Sequence, residues 1–315
     1  MTGATGSERD RPAADKSTPE RSGTVIANYG ARLRVETDDG QQHECHCRKN
    51  AGPLVTGDRV TLEFGERDTV VTRRLPRHSA LSRPDSRGNP RIIAANIDQL
   101  LIVIAPRPAF KEALIDRYLV AAELSRMVPV IVLNKTDLLD ETTREALMQR
   151  LGIYAQIGYQ VIPVSAELAH GLDQLRPVLR ERSSIVVGQS GVGKSSLING
   201  LLPGVDARVG DVSDATNKGT HTTTTAMLYH LPDHDGTIID SPGIREFGLW
   251  QIRADEVALG FREFDDYREK CKFRDCLHRQ EPGCAVREAV TRGAVNDQRY
   301  DSYLKLLESV EQNNN

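Results

Sequence analysis

The chain has 315 residues, 27% of them charged and 39% hydrophobic, which is too long for one ordinary core and suits two or three globular domains. There is no run of ~20 apolar residues and no apolar segment at the start, so neither membrane spanning nor secretion is indicated, and a cytoplasmic protein without a membrane partner is expected. The net charge of -3 averages over unlike regions, while five cysteines, an odd number, argue against a disulfide framework and for a metal site or reduced core thiols.

Residues 1–22, with Gly3, Gly6, Pro12 and Pro19 among Ser, Thr and charges, hold too little apolar surface to offset the entropy of ordering, and a disordered tail is expected. From 23 to 75 short runs and turn signals follow: Thr24-Val25-Ile26, Leu33 to Glu36, Asp38-Asp39-Gly40 and Gly57 to Phe64. They favour a small closed all-β barrel, OB-like, over an open sheet. Within it His43, Cys45, His46 and Cys47 invite a metal reading, but strand alternation puts Cys45 and Cys47 on one face and His46 on the other, which suits core packing. Residues 76–95, rich in Pro, Ser, Arg and Gly, read as a basic linker. Arg73, Arg74, Arg77, Arg83, Arg87 and Arg91 stand against one acid, Asp85. That local excess suits nucleic-acid phosphates, and the first five arginines are candidate RNA contacts.

From 96 to 250 continuous apolar runs alternate with helical stretches. Leu100 to Ala105, Val128 to Leu133, Val161 to Val164 and Ile185 to Val187 lack polar alternation, as strands do when a parallel sheet is covered by helices on both faces. Thr222 to Leu231 and Thr237 to Asp240 add two candidate strands. Asn134-Lys135-Thr136-Asp137 follows one of the runs, at the carboxyl end of a strand, where α/β sheets collect ligands. Asp137 can accept from guanine N1–H and the 2-amino group, which adenine cannot supply; Asn134 supports the base edge, and the Lys135 stem can lie along the ring. Ser165-Ala166, after the next run, can add a backbone N–H for guanine O6.

Gly188-Gln189-Ser190-Gly191-Val192-Gly193-Lys194-Ser195, leading into Ser196 and a helical stretch, has the strand, loop and helix context of a phosphate-binding loop. Its glycines let backbone N–H groups meet phosphates, Lys194 neutralises the outer ones, and the Ser195 hydroxyl can ligate Mg²⁺. Asp240-Ser241-Pro242-Gly243 follows another run and fits the element in which Asp holds Mg²⁺ through water and Gly senses the γ-phosphate. Between them lies Gly219 to Thr225, a polar stretch suited to a switch, where Thr222 or Thr223 could complete the Mg²⁺ shell; a Thr-rich strand is the alternative. Beyond 250 the chain is polar and mainly helical. Cys271, Cys276, His278 and Cys284 place four zinc ligands within fourteen residues, and a Cys₃His set with no spare position reads as one structural zinc in a small domain spanning 251–315.

The order of these pieces, guanine reader before phosphate loop, resembles the circularly permuted GTPases. With the barrel and the Cys₃His cluster, residues from about 23 to 300 resemble the RsgA (YjeQ) family, GTPases of late small-subunit ribosome maturation. The resemblance implies Mg²⁺ with GTP or GDP, barrel and zinc-domain contacts with ribosomal RNA, and hydrolysis stimulated by the 30S subunit; a monomer is expected. Ile244 stands where many GTPases carry a water-orienting glutamine, and His221 resembles the family's proposed catalytic histidine. Thr220 departs from a position that is often basic in the family, and Arg245 is a further candidate for transition-state charge or RNA contact. Because the Asp240 element runs almost directly into the zinc segment, γ-phosphate loss is expected to reorient that domain. A GTP-dependent switch on another RNA, or a translation factor, is the competing reading; a P-loop kinase leaves the guanine reader without a role.

Overall fold

The computed structural model describes residues 20–48, 51–66, 68–85, 88–203, 226–232, 235–240 and 252–313. The first five strands are β1 (Glu20–Asn28), β2 (Leu33–Thr37), β3 (Gln42–Cys47), β4 (Arg59–Phe64) and β5 (Thr69–Arg74). They close a ring in the order β1-β2-β3-β5-β4-β1, antiparallel throughout except for the parallel pair β3 and β5. This is the OB-like barrel. Alternation fills it: Val25, Leu33, Val35, Cys45, Val60, Leu62 and Val71 point inward and form one cluster. Cys45 is buried, but Cys47, expected on the same face, is exposed, because it ends the strand and its thiol turns to the Arg48 carbonyl.

Residues 76–95, expected as a linker, carry a hairpin of β6 (Ala80–Pro84) and β7 (Pro90–Ala95). It docks on the barrel through Thr56, which bridges to Ala94. At Gly57, with φ +90°, an added Cβ would lie 2.0 Å from the Ala95 carbonyl oxygen, so only glycine allows the two segments to meet.

The remaining sheet comprises β8 (Gln99–Ile104), β9 (Val128–Leu133), β10 (Gln160–Pro163), β11 (Ser183–Val187), β12 (Met227–His230) and β13 (Thr237–Asp240). Their order is β10-β9-β8-β11-β13-β12, parallel except for β12. All six residues of β8 are buried, as its unbroken apolar run requires for a strand covered on both faces. The helices α1 (Glu112–Leu124), α2 (Glu141–Ile157), α3 (Arg176–Leu179) and α4 (Lys194–Leu201) connect these strands. The start of α2 is fixed by Asp140, whose carboxylate accepts from the Thr143 N–H at 2.8 Å.

Barrel and core are one sheet. Between Val25 and Ala27 the register of β1 on β2 slips by one residue, so Ile26 is an extra residue; it packs in the cluster of the α/β core while Val25 packs inside the barrel. Just past this bulge, Ala27 pairs with Met227 of β12.

The C-terminal region holds α5 (Ala254–Val257), α6 (Asp265–Arg268), α7 (Ala285–Thr291) and α8 (Asp297–Asn313). Its Phe261, Phe264, Tyr303 and Leu307 belong to the same hydrophobic cluster as Ile115, Tyr118 and Leu119 of α1. At the junction the fully buried Arg299 guanidinium donates to Asp116 Oδ1 and Glu263 Oε1, each at 2.6 Å, and lies 4.5 Å from the Phe261 ring. The Tyr154 hydroxyl donates to the same Asp116 oxygen at 2.9 Å, and burial holds that phenol well above its ordinary pKa.

Candidate nucleotide site and metal cluster

Asn134 is the buried hub of the candidate nucleotide site. It ends β9 by donating its N–H to the Ile104 carbonyl of β8, which brings its side chain to the carboxyl edge of the sheet. Its Nδ2 donates to the Val192 and Gly193 carbonyls at 3.0 and 3.3 Å, and its Oδ1 accepts from the Ala166 N–H at 3.2 Å. One amide thus ties three loops distant in sequence. An added Cβ on Gly193, at φ +90°, would stand 2.5 Å from Asn134 Nδ2, so the close approach depends on that glycine.

Lys135, in the left-handed region at φ 61°, sends its ammonium to the Gly191 carbonyl at 2.5 Å and to the Arg107 carbonyl at 3.3 Å. Its stem therefore spans the space beside the loop, where a base ring can lie. Thr136 bonds the Val164 carbonyl through both its N–H and its hydroxyl, and the Ser165 hydroxyl donates to Asp137 Oδ1 at 2.5 Å. Asp137 is exposed and is oriented by Ser165, with carboxylate edge available for a base. In the Ser165-Ala166 pair, expected to offer a backbone N–H to guanine O6, the Ala166 N–H donates to Asn134 Oδ1.

The loop from Gly188 to Gly193 links β11 to α4, which starts at Lys194. Lys194 Nζ donates to the Gly188 and Gln189 carbonyls at 2.9 Å each, folding back over the loop; phosphate oxygens offer it stronger, charged acceptors. Ser190, Ser195 and Ser196 sit on the loop and the first helical turn. Asp240, at the end of β13, has its carboxyl pushed up by burial, with the Lys194 charge opposing. Burial makes a lone carboxylate costly at Asp240, and a nearby cation would relieve that cost. Thr220, His221, Thr222, Thr223, Gly243, Ile244 and Arg245 lie outside the described residues.

The loop after β8 escaped the sequence reading. Gln189 Nε2 donates to the Pro108 and Ala109 carbonyls, and Arg107 accepts from Lys135, so residues 107–109 brace both phosphate loop and base reader. Pro106-Arg107-Pro108 at the carboxyl end of a buried strand was the available signal.

Cys271, Cys276, His278 and Cys284 bring their ligand atoms within 4.8 Å of one another. Cys271 Sγ lies 3.5 Å from His278 Nδ1 and 3.9 Å from Cys284 Sγ, and His278 Nδ1 lies 3.4 Å from Cys284 Sγ. A tetrahedral zinc with bonds of about 2.3 Å to sulfur and about 2.0 Å to nitrogen has edges of roughly 3.8 and 3.5 Å, which the edges among Cys271, His278 and Cys284 match, with Cys276 in the same 4.8 Å group. Burial pushes the Cys276 thiol up to about 12, raises that of Cys284 and lowers the His278 imidazole; a cation draws such thiols to thiolates. The loop is braced independently: the Glu281 carboxylate accepts from the N–H groups of Leu277, Arg279 and Gln280, and Tyr303 and Tyr300 donate to the Leu277 and His278 carbonyls at 2.6 Å.

The basic cluster is less uniform than its sequence. Arg77 makes a bidentate pair with Asp58 at 2.6 and 2.7 Å, the two side chains 12% and 0% exposed, and also donates to Pro53, so its charge is spent within the fold. Arg73 is exposed on β5, Arg74 donates to the Pro53 carbonyl, and Arg87 lies outside the described residues. Arg83 and Arg91 line a cleft of about 820 Å³ between barrel and hairpin, with Tyr29, Thr56 and Ala226 on its walls.

A mostly parallel six-stranded sheet, with the guanine-type loop preceding a glycine-rich phosphate loop in the chain and bonded to it in space, defines a circularly permuted GTPase. The profile of the RsgA GTPase family matches residues 74–250. A small ribosomal subunit biogenesis GTPase RsgA of Pseudomonas aeruginosa is 51% identical over 293 residues, covering 93% of this chain and 86% of the relative. The protein of that name from Chromohalobacter salexigens is 53% identical, covering 93% of this chain and 87% of its own. Among solved structures, YjeQ from Thermotoga maritima superimposes with a TM-score of 0.78 at 31% identity, covering 93% of this chain and 99% of its own. YloQ, described as a circularly permuted GTPase, gives 0.75 at 26% identity, with 96% and 99% covered. The chain belongs to the RsgA GTPase family and is a GTP-hydrolysing enzyme.

Proposed function

We propose that this GTPase acts as a ribosome-dependent switch late in maturation of the small ribosomal subunit, holding ribosomal RNA through the barrel and the C-terminal metal region. The observation that carries the reading is the sharing of β1 between an OB-like barrel and the nucleotide-binding sheet, which joins an RNA-type module to the hydrolytic site by main-chain bonds. The name of the 51% identical relatives supplies the subunit.

In this reading Asn134 to Asp137 with Ser165 and Ala166 select guanine, and Gly188 to Ser196 hold the phosphates. Asp240 and Gly243 sense the γ-phosphate. Ser195, Asp240 and one of Thr222 and Thr223 hold Mg²⁺, which when bound neutralises charge on the transferring phosphoryl oxygens. His221 orients the attacking water where Ile244 cannot. Cys271, Cys276, His278 and Cys284 hold one structural zinc. Arg73, Arg74, Arg83 and Arg87 meet RNA phosphates, with Arg77 holding the barrel behind them. The protein works in the cytoplasm as a monomer.

The test is GTP turnover with purified 30S, 50S and free RNA. Stimulation by 30S alone is expected; equal stimulation by free RNA would turn the reading toward a general RNA-binding switch. His221→Ala is expected to keep GTP affinity and lose the stimulated turnover, and full turnover in that variant would remove His221 from the mechanism.

A further inference from the structure

Thr56 lies between β3 and β4, 1% exposed, with its carbonyl accepting from the Ala95 N–H at 2.9 Å. Its hydroxyl leaves the barrel: it donates to the Ala226 carbonyl at 2.7 Å, 170 residues away in the chain. Ala226 directly follows Thr225, the last of the threonine-rich run. The next residue, Met227, pairs with Ala27 of the barrel on one side and with Asp240 on the other. At the far end of β12, His230 Nε2 lies 2.6 Å from Glu36 Oε1, and His230 is opposite Thr237.

β12 is therefore held at both ends by the barrel, but only its first residues adjoin chemistry. Ala226 follows the threonine-rich run in the chain and leads into β12, and Met227 backs Asp240. We propose that Thr56 is a positioning residue for GTP hydrolysis. By holding the Ala226 carbonyl it fixes the start of β12 and, one residue on, the strand against which Asp240 is registered. Thr56 acts through Ala226. The barrel thus supplies part of the framework of the switch, and a ligand in the cleft that Thr56 and Ala226 line would bear on the same bond.

A residue that merely packs the interface would be replaced by isosteric valine without effect on turnover. A positioning role makes the hydroxyl matter, because Thr56→Val leaves the Ala226 carbonyl without its donor. Basal kcat, measured without ribosomes, is expected to fall roughly three- to tenfold in Thr56→Val, the effect of one buried hydrogen bond on a rate. KM for GTP and the affinity for GDP should stay unchanged, since the phosphate loop and residues 134–137 are untouched. Thr56→Ser, which keeps the hydroxyl, should restore most of the rate. Glu36→Gln, which weakens the barrel contact at the other end of β12, should keep it. Wild-type turnover in Thr56→Val, equal slowing in Thr56→Ser or Glu36→Gln, or a matching loss of GDP affinity would each overturn the proposal. If the valine variant does not fold, Thr56→Ala is compared with Thr56→Ser under the same criteria. Wild-type protein run alongside separates this question from the enzymatic reading itself, which fails only if that protein hydrolyses no GTP.

Discussion

Arg299 on α8 and Asp116 on α1, 183 residues apart in the chain, form a 2.6 Å ion pair that neither side chain shares with solvent. Arg299→Ala leaves the Asp116 and Glu263 carboxylates buried without a cation, and a loss of about 3–5 kcal/mol in denaturant unfolding is expected. The double variant Arg299→Ala/Asp116→Ala should recover part of that loss, with a coupling of about 0.5–3 kcal/mol. The pair also bears on motion: any swing of the C-terminal region relative to α1, of the kind the chain order suggested, would have to open it.

Gly193→Ala places a methyl group against the Asn134 amide in a left-handed backbone region. The strain of about 1–3 kcal/mol should weaken GTP and GDP alike by roughly tenfold or more, because it disturbs the shared hub rather than the γ-phosphate contacts. Equilibrium titration with both nucleotides checks this; selective loss of GTP would contradict it.

The Cys₃His cluster predicts opposite pH responses with and without metal. In the metal-free protein the Cys276 thiol is raised from 9.0 to about 12, so the stability that it contributes is present below 9 and lost as pH rises from 9 toward 12. With zinc bound the ligands are deprotonated, so stability is instead lost as pH falls and protons compete with the metal. Thermal melts across pH before and after chelation should show the reversal. Chelation should also disturb Tyr300 and Tyr303, whose hydroxyls hold the cluster loop, while GDP still binds.

RNA affinity should fall steeply with salt. Arg73→Ala is expected to weaken binding and flatten the logarithmic salt slope by about 1, as one lost phosphate contact does. Arg77→Ala should instead lower the melting temperature, since Asp58 is left buried without its partner. Anisotropy titrations over a salt series, beside melting curves, separate the two roles.

Much of the fold was legible because local chemistry carries it. The unalternating runs at Leu100 and Val128 became buried parallel strands, and the spacing from Cys271 to Cys284 became four ligand atoms within 4.8 Å of one another. What stayed hidden depends on partners far along the chain. Pro84, Gly88 and Pro90 read as loop chemistry, yet Leu81 and Ala94 find a buried face and make a hairpin of that segment. Arg77 read as one more free cation because nothing in sequence points to Asp58, nineteen residues earlier. The same holds for Thr56 and Ala226, and for Arg299 and Asp116: a buried polar pair between remote segments has no periodicity to announce it.

The one-residue bulge at Ile26 has a practical consequence for anyone dividing this protein. The strand that completes the barrel also meets the edge of β12 at Ala27 and Met227, so a fragment starting after residue 95 would lose that pairing and carry β12 as a bare edge strand. Such a margin recruits strands from other copies. The isolated nucleotide-binding fragment should therefore self-associate in solution, and a soluble, monodisperse truncation would have to keep β1 or cap that margin with a charged or proline-bearing replacement.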